Sequence, residues 1–295
     1  MLWNRIEPLK LQLAITHYYN AAGGGKHGSL SPNPGPRIQA LREVVLQLHR
    51  LFGNSAGSLN HMHQRLDKVN DGGAELQIFI CIKGDNHLLE ELSDLENNGT
   101  FTRINSEPIS AKHLGFCCHK VLKKNYLNYD YSCYLEDDIL INDADFFSKL
   151  EFFNNSFGNN YLLQPNRIET SEDLRHLNRF YIDGDFNPKA SEPYRKSMHE
   201  KLSLVHLGKT ISFNQPLNTH SGCFFLNKNQ ADIYFNGPFC AEIDDSFHGP
   251  LESAATLNVM KQFQIMKPSL QNGKFLSVEH AGRNFMGLIT SISTQ

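Results

Sequence analysis

The chain has no apolar run near the roughly 18 residues that a membrane span needs. Its opening MLWNRIEPLK puts charges where a secretory signal carries an apolar core. A soluble protein that stays in the cytoplasm is the expectation. No run of lysines or arginines follows one face or alternates with aromatics, and the formal net charge of -3 comes from interspersed acids and bases. Nucleic acid is therefore not an expected partner. The six cysteines, at 81, 117, 118, 133, 223 and 240, form no CxxC and mostly lie in apolar stretches, as reduced core residues do. Two N-x-S/T triplets, at Asn98 and Asn154, carry little meaning without secretion. Repeats, heptads and low-complexity tracts are absent, and so is HExxH. GGGKHGS fails the P-loop spacing, because Asn20 and His27 stand where a glycine and a Ser or Thr are required. DDILINDADFF spaces its acids like a calcium loop but lacks the central glycine and the terminal glutamate. His61 and His63 alternate as strand ligands do, with no obvious third ligand.

What is present is a chain of 295 residues, 40% hydrophobic, which is long enough to bury a real core. LQLAI, from Leu11 to Ile15, predicts a buried strand that runs into the Gly/Pro-rich loop AAGGGKHGSLSPNPGP. In PRIQALREVVLQLHRLFG the apolar Ile38, Leu41, Val45, Leu48 and Phe52 recur at helical spacing, with Pro36 in the first turn and Gly53 at the close. LQIFICI, from Leu76 to Ile82, is too short and too apolar for an ordinary helix and predicts a central strand covered on both faces. AKHLGFCCHKVLKKN predicts an amphipathic helix leading into the strand YSCYL. After the short ILI come a helix over DADFFSKLEFF, capped by Asn142 or Asp143, and a strand at YLLQP. Strand and helix thus alternate as in a mostly parallel sheet. From Asn166 to about Asn214 the chain is polar and shows little clean periodicity, which suggests an insertion or substrate-side lobe. Order returns with CFFL and a last helix over GPLESAATLNVMKQF, with Pro250 in its first turn.

Within YLEDDILI three acids, Glu136, Asp137 and Asp138, interrupt an otherwise apolar segment. A buried unpaired carboxylate costs several kcal/mol, so something must hold them. An exposed turn is one explanation. The other is a hard divalent ion at the carboxyl end of a strand, shared with substrate phosphates.

At this triplet the sequence resembles the GT-A class of glycosyltransferases, whose DxD-like motif follows a central strand. Beyond the triplet the resemblance is one of layout, over the ordered parts of residues 10 to 285. It implies an α/β, Rossmann-like, mostly parallel sheet flanked by helices, with a polar acceptor-side insertion. One domain over 1–295 is expected, with residues 10–165 as the nucleotide-sugar-binding half and 166–295 as the acceptor-side half. The implied activity is metal-dependent transfer of a sugar from a nucleotide diphosphate donor to a glycan or other hydroxyl acceptor, with Mn²⁺ or Mg²⁺ as cofactor. By the resemblance Asp138 binds the metal directly, while Glu136 and Asp137 face the ribose and donor sugar. His280, in FLSVEHAGRNF, resembles the carboxyl-terminal metal-ligand histidine of the class. Thr16, His17 and Tyr18 fall where the first strand's end contacts the base, although packing explains them equally well. Asp85 is placed to accept from base or ribose, and Lys112 to reach a phosphate, unless it is simply solvated. Glu252 is the candidate base for an inverting transfer, with Glu242, Asp244 and Asp245 competing nearby. Without such a base, a retaining mechanism in which the leaving phosphate takes the proton is preferred. His220, Ser221 and Gly222, in NTHSGCFF, line the donor-sugar pocket or make a simple turn. Two other functions fit the same features. A sugar-phosphate nucleotidyltransferase normally carries a glycine-rich basic loop, which Gly23 to Lys26 only loosely imitate, and a non-catalytic carbohydrate-binding protein would have a degenerate site.

Overall fold

The computed structural model describes residues 7–23, 28–171, 178–184, 191–196, 198–240, 242–282 and 284–289. The first strand, β1 (Lys10–Thr16), is buried after its first residue. Its alternation sends Leu11, Leu13 and Ile15 into one apolar core and Ala14 into a second on the opposite face. Residues 24–27, most of the GGGKHGS segment, lie outside the described residues. The helix α1 (Gly35–Phe52) keeps the expected Pro36, buries Leu41, Val44, Val45, Leu48 and Phe52 on one stripe, and ends where the Gly53 N–H donates to the His49 carbonyl. A hairpin of β2 (Ala56–Asn60) and β3 (Arg65–Val69) pairs only with itself, and His61 and His63 sit in its exposed turn.

The strand β4 (Glu75–Ile82) repeats the logic of β1, with Ile78, Ile80 and Ile82 on one face and Cys81 on the other. After α2 (Ser93–Asn97) and β5 (Thr102–Asn105) comes α3 (Leu114–Lys123), which covers the second core and precedes β6 (Tyr131–Glu136). The two-residue β7 (Ile139–Leu140), α4 (Phe146–Phe157) and β8 (Tyr161–Leu163) follow as expected. Asp145, not Asn142 or Asp143, stands at the N-cap of α4 and makes no side-chain cap bond, while Asp143 accepts from the Asp145 N–H at 3.0 Å just before the helix.

The polar stretch is more regular than its sequence suggests. It contains β9 (Asn166–Thr170), β10 (Arg179–Tyr181), β11 (Lys201–His206) and β12 (Lys209–Asn214). β9 is buried nearly throughout although four of its five residues are polar, so no apolar period announces it. The strand β13 (Cys223–Asn227) leads through a capping box at Asn227 and Gln230 into α5 (Lys228–Asn236). The expected last helix runs from α6 (Pro250–Glu252) through a π-helical segment (Ser253–Leu257) to α7 (Asn258–Gln262). Two further strands, β14 (Gln264–Pro268) and β15 (Ser277–His280), close the structure.

The central sheet has the order β13-β6-β1-β4-β5. β1, β4, β5 and β6 are parallel and β13 is antiparallel to β6. The result is a mixed α/β architecture with a parallel-rich central sheet and flanking helices. The chain leaves β1 toward β4 and returns to β6 on its other side, so the strand order reverses between β1 and β6. At such a point the carboxyl ends of neighbouring strands diverge and open a crevice. Two smaller sheets, β10-β9-β15-β7 and β11-β12-β14-β8, complete the fold. Among the described residues no helix is long and apolar enough to cross a membrane. The six cysteines are free, and all but the half-buried Cys117 are buried.

Candidate functional site

Sheet register brings the acidic triplet to the reversal point. Thr16 at the end of β1 pairs with Glu136 at the end of β6, so His17 and Asp137 leave adjacent strands side by side. The His17 Nε2 accepts from the Leu88 N–H at 3.0 Å, which leaves Nδ1 to donate to Asp137 Oδ2 at 2.5 Å. Arg37, in the first turn of α1, bridges the two aspartates: Nη2 meets Asp137 Oδ1 and Nη1 donates to Asp138 Oδ2 at 3.0 Å. Asp137 is 1% exposed with both oxygens engaged, and His17 is 0% exposed with both ring nitrogens engaged. Both therefore act as buried supports in this arrangement. Burial works against the Arg37 charge, but Asp137 and Asp138 outweigh it and raise its pKa.

A second register carries His280 to the same place. β7 follows Asp138 directly and pairs antiparallel with β15, setting His280 opposite Ile139, while the Ala281 N–H donates to the Asp138 carbonyl at 2.9 Å. His280 Nε2 then lies 3.6 Å from Asp138 Oδ2. On its other side Nδ1 is 2.9 Å from Glu169 Oε1, a carboxylate that also accepts from the Phe285 and Met286 backbone N–H groups. Glu169 thus holds the imidazole from behind and turns Nε2 toward Asp138. Among the described residues no three His, Cys, Asp or Glu side chains form a metal-holding group. The imidazole and carboxylate of His280 and Asp138 suit a Mg²⁺ or Mn²⁺ that takes its remaining ligands from phosphate and water.

Glu136 is set apart from its neighbours. Gly222, at φ +64°, accepts the Glu136 N–H at 2.8 Å, and a Cβ there would stand 2.9 Å from the Glu136 carboxyl. Burial pushes the Glu136 carboxyl up to about 8 against the pull of Arg167, with Asp138, Glu252 and Asp137 adding to the rise. Burial thus favours the neutral acid over the carboxylate here. His220 Nε2 lies 3.8 Å from it, and His220 Nδ1 is 3.0 Å from Thr256 on the π-helical segment, an irregularity found often at functional sites. Burial first, then Arg167, keeps His220 neutral.

Behind this wall lies a buried charge cluster. Arg167 Nε and Nη2 both stand 2.8 Å from Asp183 Oδ1, and Lys267 Nζ donates to Asp183 Oδ2 at 2.9 Å and to the His220 carbonyl at 2.5 Å. Burial acts upward on Asp183, but Lys267 and Arg167 hold it well below the carboxylate range.

The remaining sequence candidates distribute around this centre. Thr16 is buried at the end of β1 and Tyr18 is half-buried beyond it. Asp85 is exposed after β4, on the same carboxyl-end edge. Lys112 is exposed in a 3-10 turn that packs against α6. Ser221 is buried and donates to the Pro165 carbonyl at 2.8 Å. Glu252 is close enough to help raise Glu136. Its competitors are occupied, because Lys261 pairs with Glu242 at 2.8 Å and Asp244 at 2.6 Å, and His113 stands 3.5 Å from Asp245. A cavity of about 790 Å³ opens at the opposite end of the strands, beside Lys68, Tyr131 and Phe147, far from these groups.

Arg37, Glu169, Arg167, Asp183 and Lys267 were not singled out in the sequence. Two signals stood there: a cation in the first turn of α1, where the helix dipole disfavours it, and the i, i+2 pair Arg167 and Glu169 on one face of a strand.

No family model and no curated protein sequence matches the chain. Among solved structures, TarS 1-349 of S. aureus covers 88% of this chain at 11% identity and a TM-score of 0.42. S. aureus TarS covers 89% at 10% identity and a TM-score of 0.43. The chain spans 58% of the first and 35% of the second. A likeness this loose carries no argument about fold or activity.

Proposed function

We propose that this protein is a metal-dependent glycosyltransferase that moves a sugar from a nucleotide diphosphate donor to a hydroxyl acceptor. The observation that carries the reading is the meeting of Asp138 Oδ2 and His280 Nε2, 3.6 Å apart, with Glu169 fixing the imidazole from behind. Asp138 and His280 would hold a Mn²⁺ or Mg²⁺, which supplies positive charge against the departing diphosphate. Every other role falls to the chain itself. Arg37, anchored by Asp137 and His17, adds a fixed guanidinium beside that charge. Glu136 hydrogen-bonds a hydroxyl of the ribose or donor sugar. Thr16, Tyr18 and Asp85 line the base and ribose side, and Lys112 reaches a phosphate. His220, Ser221 and Gly222 wall the donor-sugar pocket.

Inverting transfer needs a carboxylate to take the acceptor proton, and Glu252 is the one near Glu136 that no hydrogen bond or ion pair engages among the described residues. On this reading residues 10–165 bind the donor, with Glu169 and His280 reaching in from the acceptor-side half.

The test is thermal unfolding with a panel of nucleotide diphosphates and nucleotide-sugars, with and without Mn²⁺, on wild type and Asp138→Ala. A ligand at about 100 times its Kd adds roughly 2.7 kcal/mol, a rise of several degrees. A metal-dependent rise with one donor, lost in Asp138→Ala, is expected. No rise with any member of the panel sinks the proposal.

A further inference from the structure

Arg37 stands where a cation is wanted. Its Nη1 donates to the oxygen of Asp138 that faces His280, at 3.0 Å, while that oxygen is 3.6 Å from His280 Nε2. A divalent ion bridging Asp138 and His280 would sit beside a guanidinium already bound to the same oxygen, and two cations there repel. The other end of the fork is fixed, because Nη2 is held by Asp137, whose second oxygen is taken by His17. Arg37 Nε is buried and has no hydrogen-bond partner among the described residues. The fork thus has one arm anchored and the other on the oxygen that a metal would need.

We propose that Arg37 competes with the divalent metal for Asp138, so that metal binds weakly to the protein alone and well only together with a diphosphate. The diphosphate receives the released Nη1, which replaces the lost carboxylate bond with a charge-assisted bond to a phosphate oxygen. By linkage each ligand then raises the affinity of the other by the same factor. The inference rests on the metal centre proposed above and adds an order of events to it.

The experiment is Mn²⁺ titration followed by electron paramagnetic resonance, without nucleotide, on wild type, Arg37→Gln and Arg37→Lys, each checked for folding by circular dichroism. Arg37→Gln is expected to bind Mn²⁺ at least tenfold more tightly than wild type. Arg37→Lys keeps a cation for Asp137 but cannot bridge both carboxylates, so an intermediate gain is expected. It remains the measure if the glutamine variant does not fold. Equal Mn²⁺ affinity in wild type and the folded variants overturns the competition while leaving the metal centre standing. Binding in none of the three removes the centre, and the competition with it.

Discussion

Replacing Asp183 by asparagine deletes a single charge from the cluster behind the site and keeps the side-chain volume. Asp183 Oδ1 faces Arg167 Nε and Nη2 at 2.8 Å, and Oδ2 takes Lys267 Nζ at 2.9 Å and the Arg167 backbone N–H at 3.2 Å. The side chains of Asp183, Lys267 and Arg167 are only 2%, 4% and 8% exposed, so water cannot substitute for the lost partner. Breaking a buried pair from one side costs about 3–5 kcal/mol, because the surviving cations stay behind without compensation. At roughly 2 °C per kcal/mol for a chain of this size, the melting temperature is expected to fall by about 6–10 °C. Urea unfolding at pH 7 measures the loss as a lower midpoint with an unchanged slope. Adding Lys267→Met should recover part of it, since one stranded cation goes with it, and a double-mutant cycle isolates that coupling. A loss under about 1 kcal/mol at constant slope would refute the view that this carboxylate neutralises the two cations.

Glu169→Gln weakens the orientation of His280 and is expected to reduce Mn²⁺ affinity by about 10–100-fold with little change in fold, as read by metal titration and circular dichroism. Gly222→Ala forces a side chain onto φ +64° and places a Cβ 2.9 Å from both Glu136 and Ile139. The backbone term alone is about 1–2 kcal/mol, so an unchanged melting temperature would contradict the close approach. His119 is buried between the Ala254 carbonyl at 2.9 Å and the Tyr234 hydroxyl at 3.2 Å, and burial lowers its pKa to about 4. Protons then bind the unfolded chain first, so stability is fully present above about pH 6.5 and is lost as pH falls toward 4, by roughly 3 kcal/mol at most. A wild-type stability-pH profile with no decline over that window, or one that His119→Gln leaves unaltered, would contradict the assignment.

Local pattern made much of the central sheet readable. The apolar runs of β1, β4 and β6 and the 3.6-residue stripe of α1 state their own burial, and the order of strand and helix implied parallel pairing. The acidic triplet announced the site because charges inside an apolar strand need a reason. What stayed hidden depends on pairing between distant segments. β9 is buried but polar, since Arg167 and Glu169 find partners at Asp183 and His280 that no local period reveals. Arg37 has no local sign of its partners on α1, because these, Asp137 and Asp138, come from the turn after β6. His17, legible as a residue at a strand end, carries no local sign that both its nitrogens would be consumed by Leu88 and Asp137.

The three strands from the last part of the chain each complete a sheet begun earlier: β13 joins β6, β14 joins β8, and β15 slots between β7 and β9. The contact between Glu169 and His280 alone spans 111 residues. During synthesis the acidic edge must therefore wait, with its carboxylates facing water and two sheet edges open, until residue 280 has left the ribosome. Such long-range closures slow folding and leave unpaired strand edges available to other chains in the interval. Nascent chains stalled before β14 are therefore expected to aggregate more readily than the finished chain.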